Sequence, residues 1–577
     1  MDISPQGLVR AFAYRVPALT VNTCLAALGL SRNSSDQDFL TELITLWARP
    51  VLRTPAALLK SQQAFNYDYG VWGRMWISKW TIPVEDSLGR KTTDGGVDEH
   101  ILTLQEAIAS AIIELGDQDL RPIDLTMPVL DPVQTEWTGY RRNVSHVAMR
   151  PSLSERDMYA AMMADLPDTC GPTILYFHGG AHCLMDPTTH RWTTSALAQK
   201  SGGRVLSVRY RLAPQHVFPA ALLDALAAYL ALIAPPLGAF HEAVPPEKIV
   251  LAGDSSGGGL ASSLLLLLQT LSRRQGEGKK RRIVFQGQAV TIPDLVCAGL
   301  ALSSPWLDIT RCLPSTTANA RWDIIAPPPP RNQNPTPAFP TDAIWPASPP
   351  RVETYCTARM CIHPLVSPLA AQPRHWRGVP PVYVCVGWEG MQDEAEVFAR
   401  RVFQSADPGN QAVVFDGWEG MPHCFAMFAW NGAGRKAMQN WAGFCREVVV
   451  DPTRFRKRGQ MGTWTNGKTG VVKEVSLGEL GVSSGVGCWY ERERLDDRTV
   501  DAKLQDGQRW RVELDDEMVR QWQAERKGAS HNDTVESLKT SMIPGDTSVS
   551  LPYAGVGSLL YRCFTWPTRL GIAGTGN

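Results

Sequence analysis

Three features are scarce in this sequence of 577 residues: paired cysteines, a surplus of one charge, and long apolar runs. The twelve cysteines include no Cys-x-x-Cys pair, which argues against a zinc module and against a secreted disulfide scaffold. Lys and Arg number 57 and balance 57 Asp and Glu, so no global field would attract nucleic acid. We therefore predict a protein without a nucleic-acid partner.

The apolar runs are too interrupted for a membrane span of about 20 residues. Residues 220–240, for example, contain Asp224 and two adjacent prolines. The N-terminus lacks acidic residues between Asp2 and Asp36, and residues 18–30 are mainly apolar. This pattern fits either a targeting sequence or a helix that docks on the body or contacts a membrane surface, and Pro17 favours the second. We expect a cytoplasmic location, with organellar targeting and membrane contact by the N-terminus left open.

From about residue 170, short apolar runs alternate with helical patterns. The runs predict strands at Thr173–Phe177, Arg204–Val208, Lys248–Ala252, Leu295–Leu302 and Val382–Val386. The helical patterns lie at Thr189–Gly202, Pro219–Ile233, Gly258–Arg274 and Glu394–Gln404. Strands that alternate with helices indicate βαβ units, so we predict an α/β fold with a mostly parallel sheet covered by helices on both faces.

Composition divides the chain into three parts. Residues 1–150 read as helices and loops, and residues 151–450 carry the alternation just described. Within them, residues 326–350 contain ten prolines, which exclude a helix or a central strand and predict an extended insertion. Residues 451–577 lose the alternation, and we predict a poorly structured C-terminal extension of unknown role.

The sharpest motif is Gly-Asp-Ser-Ser-Gly at residues 253–257, between an apolar strand and a helix. A Gly-x-Ser-x-Gly pattern in this context predicts a nucleophile elbow, in which a strained turn lifts the serine above the sheet. The helix N-terminus beneath it favours developing negative charge. Ser255 is therefore the candidate nucleophile.

An acyl-transfer serine also needs donors for an oxyanion. His178-Gly179-Gly180 follows the strand at 173–177, and paired glycines let backbone N–H groups approach a substrate oxygen. We predict that the amides of Gly179, Gly180 and Ser256 form the oxyanion hole, and that His178 only positions this loop.

The acid and the base should follow the serine in the order Ser, acid, His. Glu389 lies just past the strand at 382–386, whereas Asp393 falls at the start of the next helix, where N-capping explains it. Glu389 is therefore the favoured acid, and Asp393 is the alternative. His423 follows a predicted strand at 411–415 and is the predicted general base.

These motifs, in this order, resemble the hormone-sensitive-lipase-like esterases, the fold-3 group of the α/β hydrolases. The resemblance covers residues 170–430 and includes Tyr-Arg-Leu-Ala-Pro-Gln at 210–215 and Ser-Pro-Trp-Leu-Asp at 304–308. It implies an eight-stranded sheet, a cap built mostly from residues 1–150, and hydrolysis of carboxylic esters without a cofactor. The sequence departs from the family pattern at Ala181, Ser256, Gln215 and Glu389.

We accordingly predict a serine carboxylesterase that hydrolyses small or medium acyl esters through a Ser255–Glu389–His423 triad and an acyl-enzyme intermediate. Two alternatives remain open. One is a deacetylase or acyltransferase that acts on a secondary metabolite, and the other is a catalytically silent protein that binds a small molecule. Trp306, Trp388 and Trp418 flank the motifs, and they either line an apolar pocket or pack in the core.

Overall fold

The computed structural model describes residues 5–54, 56–68, 70–84, 101–116, 127–167, 171–273, 280–330, 339–405, 413–452, 461–482, 487–491 and 493–529. Several predicted segments lie partly outside the described residues. These include residue 274 of a predicted helix, 411–412 of a predicted strand, 331–338 of the proline-rich insertion, and 453–460, 483–486, 492 and 530–577 of the C-terminal extension.

Helices and strands alternate over the middle of the chain. The helices are α1 (Pro5–Phe12), α2 (Val16–Ala27), α3 (Phe39–Leu52), α4 (Leu58–Phe65), α5 (Leu104–Leu115), α6 (Glu155–Ala164), α7 (Pro187–Ser201), α8 (Ala220–Ile233), α9 (Ser255–Ser272), α10 (Ser315–Ala318), α11 (Gln392–Gln404), α12 (Gly432–Val450) and α13 (Asp497–Ala529). The strands are β1 (Met75–Ile82), β2 (Ile101–Leu102), β3 (Val133–Tyr140), β4 (Thr173–Phe177), β5 (Arg204–Arg209), β6 (Ile249–Asp254), β7 (Arg282–Phe285), β8 (Gln288–Thr291), β9 (Gly299–Ser303), β10 (Val382–Gly387), β11 (Val413–Glu419), β12 (Met461–Asn466) and β13 (Val472–Ser476).

One large sheet organises the molecule. Its order is β1-β3-β5-β4-β6-β9-β10-β11-β12-β13, while β2, β7 and β8 form a small separate sheet. All neighbours from β5 to β12 are parallel. The prediction of an α/β fold with a mostly parallel sheet is confirmed. The described sheet has ten strands, however, so the eight strands implied by the resemblance are too few, because the C-terminal extension adds β12 and β13.

Both faces of the sheet are buried under helices. Along β4, Leu175 and Phe177 face the core shared with α8, α9 and α11. The intervening Ile174 and Tyr176 face the core shared with α7 and α12. This alternation follows the two-residue period of a strand, and burial on both faces explains why the parallel strands read as continuous apolar runs.

The N-terminal third of the chain contributes strands that we did not predict. β1 pairs antiparallel with β3, and β3 pairs antiparallel with β5. Reading residues 1–150 as helices and loops is therefore wrong for these two segments. In β1, exposed Lys79 and Thr81 alternate with buried Trp80 and Ile82, a two-residue period typical of a half-buried strand that the prediction of helices and loops overlooked.

The C-terminal extension continues the sheet at its other end. β12 pairs parallel with β11, and β13 pairs antiparallel with β12 and forms the edge of the sheet. Trp464 of β12 is fully buried, with its ring 5.5 Å from that of Phe415 and directly over Gly417. A side chain at position 417 would collide with the indole, so the glycine makes room for this contact.

The proline-rich insertion contains neither helix nor strand in its described parts, as predicted. It is nevertheless packed, because Trp345 is buried and Asp342 Oδ1 accepts the amides of Ile344 and Trp345 at 2.9 Å each. The N-terminal helices also dock on the body: Arg49 Nε of α3 donates to the carbonyl of Asp323 at 2.8 Å, and Gln62 Nε2 of α4 donates to that of Cys183 at 2.9 Å. Among the described helices, none is both long enough and apolar enough to cross a membrane.

Candidate active site

The turn from β6 into α9 holds Ser255 in a backbone conformation that residues other than glycine rarely adopt. Its φ is 50°, in the left-handed region. The turn requires glycine on both sides, since a Cβ at Gly253 would lie 2.4 Å from the carbonyl oxygen of Gly257, and one at Gly257 would lie 2.1 Å from that of Phe177. This is the geometry that the Gly-x-Ser-x-Gly motif predicts for an elbow.

Three predicted residues from separate loops meet at the carboxyl edge of the sheet. Ser255 Oγ lies 3.0 Å from His423 Nε2, and His423 Nδ1 contacts Glu389 Oε2. Glu389 is fully buried, and its Oε1 accepts the hydroxyl of Ser304 at 2.6 Å and the amide of Gly387 at 3.0 Å. The carboxylate is therefore fixed by hydrogen bonds on the side away from the imidazole.

Asp393, the alternative acid, faces elsewhere. Its Oδ2 accepts the amide of Ser315 at 2.7 Å, and its own amide donates to Ser315 Oγ at 3.1 Å. The N-cap of α11 is Met391, so the expected N-capping role of Asp393 is wrong, and the residue lies inside the first turn. Asp393 instead joins α11 to α10.

Opposing effects act on His423. Burial alone would lower its pKa, but neighbouring Cys424 and Glu389 raise the pKa well above the ordinary value. Burial also raises the pKa of the Cys424 thiol to about 12, so this thiol is uncharged at neutral pH. We therefore attribute the raised pKa of His423 to the Glu389 carboxylate. Such a carboxylate stabilises the imidazolium that forms when the histidine accepts a proton.

The three predicted oxyanion donors surround Ser255, but they are not equivalent. The Gly179 amide donates to Asp254 Oδ1 at 3.2 Å, whereas no protein acceptor is found among the described residues for the amides of Gly180 and Ser256. Gly180 has a φ of 114°, and a Cβ there would lie 2.1 Å from the carbonyl oxygen of Leu184. The loop can therefore carry only glycine at this position.

His178 is buried beneath this loop. Its ring stacks on that of Tyr210 at 4.3 Å, and Tyr210 Oη donates to the His178 carbonyl at 2.6 Å. Burial lowers the pKa of His178 to about 4, so the imidazole is neutral. These contacts agree with a positioning function and leave His178 away from the proton path between Ser255 and His423.

Comparisons with known proteins bear on this arrangement. Residues 174–427 match the profile of a family described by its alpha/beta hydrolase fold. An acetyl-hydrolase of Streptomyces hygroscopicus is 29% identical over 285 residues, which are 48% of this chain and 77% of the relative. An esterase of Acinetobacter venetianus is 28% identical over 280 residues, which are 48% of this chain and 76% of the relative.

Residues 174–427 form an α/β-hydrolase domain similar to the hormone-sensitive-lipase-like esterases, and the protein is a carboxylic ester hydrolase. The resemblance inferred from the motifs is thereby confirmed. A solved esterase of the bacterial hormone-sensitive lipase family aligns with 63% of this chain and 94% of its own length, at 24% identity and a TM-score of 0.37.

A cavity of about 500 Å³ opens onto Ser255 and His423 in this α/β hydrolase. Its wall is mostly apolar and combines residues from the N-terminal helices, such as Leu52 and Phe65, with Phe339 of the proline-rich insertion. Trp306 lines it as well. Trp388 and Trp418 are buried and do not line this cavity, so of the three tryptophans only Trp306 has the predicted pocket position.

Two residues that position the site were not predicted from the sequence. Ser304 Oγ donates to Glu389 and accepts a hydrogen bond from the amide of Cys424, with 2.9 Å between the Cys424 nitrogen and Oγ. Asp323 is buried, and it accepts the amide of Gly390 through Oδ2 at 2.7 Å and that of His423 through Oδ1 at 3.2 Å. Ser304 belongs to the Ser-Pro-Trp-Leu-Asp motif and could have been suspected from it. Asp323 carries no such signal, because its role depends on two loops distant in sequence.

Proposed function

We propose that this α/β hydrolase is a serine carboxylesterase in which Ser255 is the nucleophile, His423 the general base and Glu389 the orienting acid. The observation that carries the proposal is the continuous contact from Ser255 Oγ through His423 to Glu389, with 3.0 Å between Oγ and Nε2. This distance is within hydrogen-bond reach for direct proton transfer.

In the proposed reaction, Ser255 Oγ attacks the ester carbonyl carbon while His423 Nε2 takes the hydroxyl proton. The tetrahedral oxyanion is held by the amides of Gly180 and Ser256, with Gly179 as a third donor that shares its N–H with Asp254. The intermediate collapses to an acyl-Ser255 as His423 protonates the departing alcohol. Water, deprotonated by His423, then releases the acid and regenerates the serine. Loss of one oxyanion donor typically costs about 10²–10³ in rate.

We infer that the substrates are esters with small or medium acyl groups and a mostly apolar carbon skeleton. The cavity of about 500 Å³ and its mostly apolar wall support this inference, because such pockets bury most of a small organic ligand. The relative from Streptomyces hygroscopicus is named an acetyl-hydrolase, which favours deacetylation as the second candidate function. A chain-length series of p-nitrophenyl esters separates the two, since a deacetylase should favour the acetate over the butyrate and hexanoate.

Replacing the nucleophile tests the proposal directly. Ser255→Ala should lower kcat for p-nitrophenyl butyrate by about 10⁴-fold or more, because no other group can form the acyl-enzyme. The matched control is Ser262→Ala in the same helix, where the hydroxyl only donates back to the Gly258 carbonyl at 2.9 Å. Turnover that survives in folded Ser255→Ala protein would sink the assignment. A wild-type protein that a fluorophosphonate probe fails to label would instead favour the silent binding protein.

A further inference from the structure

The cavity above Ser255 contains one cationic side chain that is not used by the proposed chemistry, that of Arg311. Two other ionisable residues in the wall, Asp254 and His190, face each other with 3.4 Å between Asp254 Oδ1 and His190 Nε2. Their charges offset each other when the histidine is protonated, and Asp254 is further satisfied by Tyr176 and Gly179. Arg311 has no such partner.

The guanidinium of Arg311 makes few bonds for a group with five N–H donors. Its Nη2 donates to the carbonyl of Ala326 at 2.6 Å, and its Nε is buried without an acceptor. Among the described residues it forms no ion pair. Burial lowers its pKa, yet a guanidinium retains its proton at neutral pH. The wall therefore presents to a mostly apolar cavity a guanidinium that has N–H donors to spare.

The carboxylates closest to this charge are engaged with other groups. Asp323 accepts the amides of Gly390 and His423, as described above. Glu353 Oε1 accepts Arg511 Nε at 2.6 Å. Burial raises the pKa of Glu394 well above its ordinary value. All three act on Arg311 through space, but among the described residues none forms a hydrogen bond or an ion pair with its guanidinium.

The backbone also holds Arg311 in place. Its φ of 49° lies in the left-handed region, and its amide donates to the carbonyl of Asp308 at 3.1 Å. A non-glycine residue in this conformation carries strain that the surrounding structure must maintain. A charged side chain kept at such a position, beside an apolar cavity, is suited to a ligand that supplies an anionic hydrogen-bond acceptor.

We propose that Arg311 binds a carboxylate carried by the substrate at a point remote from the scissile ester, so that the preferred substrates are half-esters of dicarboxylic acids or esters of a carboxylated alcohol. This inference rests on the proposed esterase function. A guanidinium and a carboxylate form charge-assisted, often bidentate hydrogen bonds, and these strengthen when water is excluded.

Matched pairs of substrates test the proposal. Monoethyl adipate and ethyl hexanoate have the same chain and differ in the terminal carboxylate, which places the charge on the acyl side. The pair 4-acetoxybenzoate and 4-methylphenyl acetate places it on the alcohol side. The measured quantity is the ratio of kcat/KM for the anionic ester to that for its neutral partner, because this ratio cancels a general loss of activity.

In Arg311→Met the ratio should fall about 10- to 100-fold in one of the two pairs, the range expected for a charge-assisted contact. Arg311→Lys, which keeps the charge, should show a smaller fall. Arg359→Met removes an exposed cation that pairs with Asp516 and should leave both ratios unchanged. Adipate should also inhibit the wild type competitively and inhibit Arg311→Met more weakly.

Ratios that stay within twofold of wild type in both pairs, for both Arg311 variants, would overturn the role of Arg311. If both variants prove unstable, weak adipate inhibition of the wild type would overturn it instead. Failure of the proposed function looks different: neutral esters would then be turned over by Ser255→Ala, or not at all by the wild type.

Discussion

At the scale of single residues, the triad acid is the one position with two candidates, Glu389 and Asp393. The two carboxylates differ in the groups that they contact. Glu389 contacts His423 Nδ1, whereas Asp393 bonds the Ser315 backbone. Glu389→Gln should lower kcat by about 10³–10⁴-fold, because an amide cannot stabilise the imidazolium or select its tautomer. Asp393→Asn should affect stability more than kcat.

The pH profile gives this prediction a second readout. The base must be neutral to accept the Ser255 proton, so kcat/KM rises with pH through the pKa of His423. Glu389 raises that pKa, and its neutral replacement should therefore move the acidic limb to lower pH. Asp393→Asn should leave the limb in place. A limb that moves in Asp393→Asn and not in Glu389→Gln would exchange the two assignments.

The residues that the sequence could reveal are those embedded in a local pattern. Ser255 stands between glycines at a strand-to-helix turn, and Glu389 and His423 each follow a predicted strand. Asp323 stands in no such pattern, because its partners Gly390 and His423 come from segments far away in the chain. Nor does Arg311, whose place in the cavity wall depends on segments that only the fold brings together. The hydrogen bond from the Gly179 amide to Asp254 could not be predicted either, since it joins the ends of two strands, β4 and β6, that are far apart in sequence.

At the scale of elements, Asp323 joins the loop after β10 to the loop after β11. One oxygen accepts the Gly390 amide beside the acid, and the other accepts the His423 amide. Asp323→Ala should lower kcat about 10- to 100-fold with little change in KM, because both loops lose their common anchor and small displacements of reacting groups are costly. Steady-state kinetics with p-nitrophenyl butyrate measure this split.

Asp342→Ala is the matched control for Asp323→Ala. Asp342 also accepts backbone amides, those of Leu59, Ile344 and Trp345, but it touches neither catalytic loop. Its loss should lower the thermal midpoint and leave kcat near wild type. Equal effects of the two substitutions on kcat would show that Asp323 acts only through general stability.

The elements themselves were predictable where burial is strong. The central strands are continuous apolar runs because helices cover both faces, and their predicted positions agree with β4, β5, β6 and β10 to within two residues. β1, β3 and β12 were missed because they lie towards the edges of the sheet, where polar residues interrupt the continuous apolar runs that identified the central strands.

At the scale of the whole molecule, the C-terminal extension is joined to the catalytic body by ion pairs and hydrogen bonds. Buried Arg401 of α11 donates to Asp501 Oδ1 of α13 at 2.7 Å and to Asp497 Oδ1 at 3.0 Å. The extension also contacts the loop that carries Glu389, because Trp388 Nε1 donates to the Gly487 carbonyl at 2.7 Å. The extension therefore braces α11, which starts three residues after the proposed acid.

Two ion pairs on α13 allow this brace to be measured. Asp501→Ala removes a partner of a fully buried guanidinium and should lower the free energy of unfolding by about 2 kcal/mol or more. Asp516→Ala removes the partner of Arg359, whose side chain is 58% exposed, and should cost less than about 1 kcal/mol. Urea denaturation followed by tryptophan fluorescence gives both values. If the two substitutions lower the free energy of unfolding equally, the buried arginines do not anchor the extension. In that case α13 is held by its apolar contacts with the catalytic body.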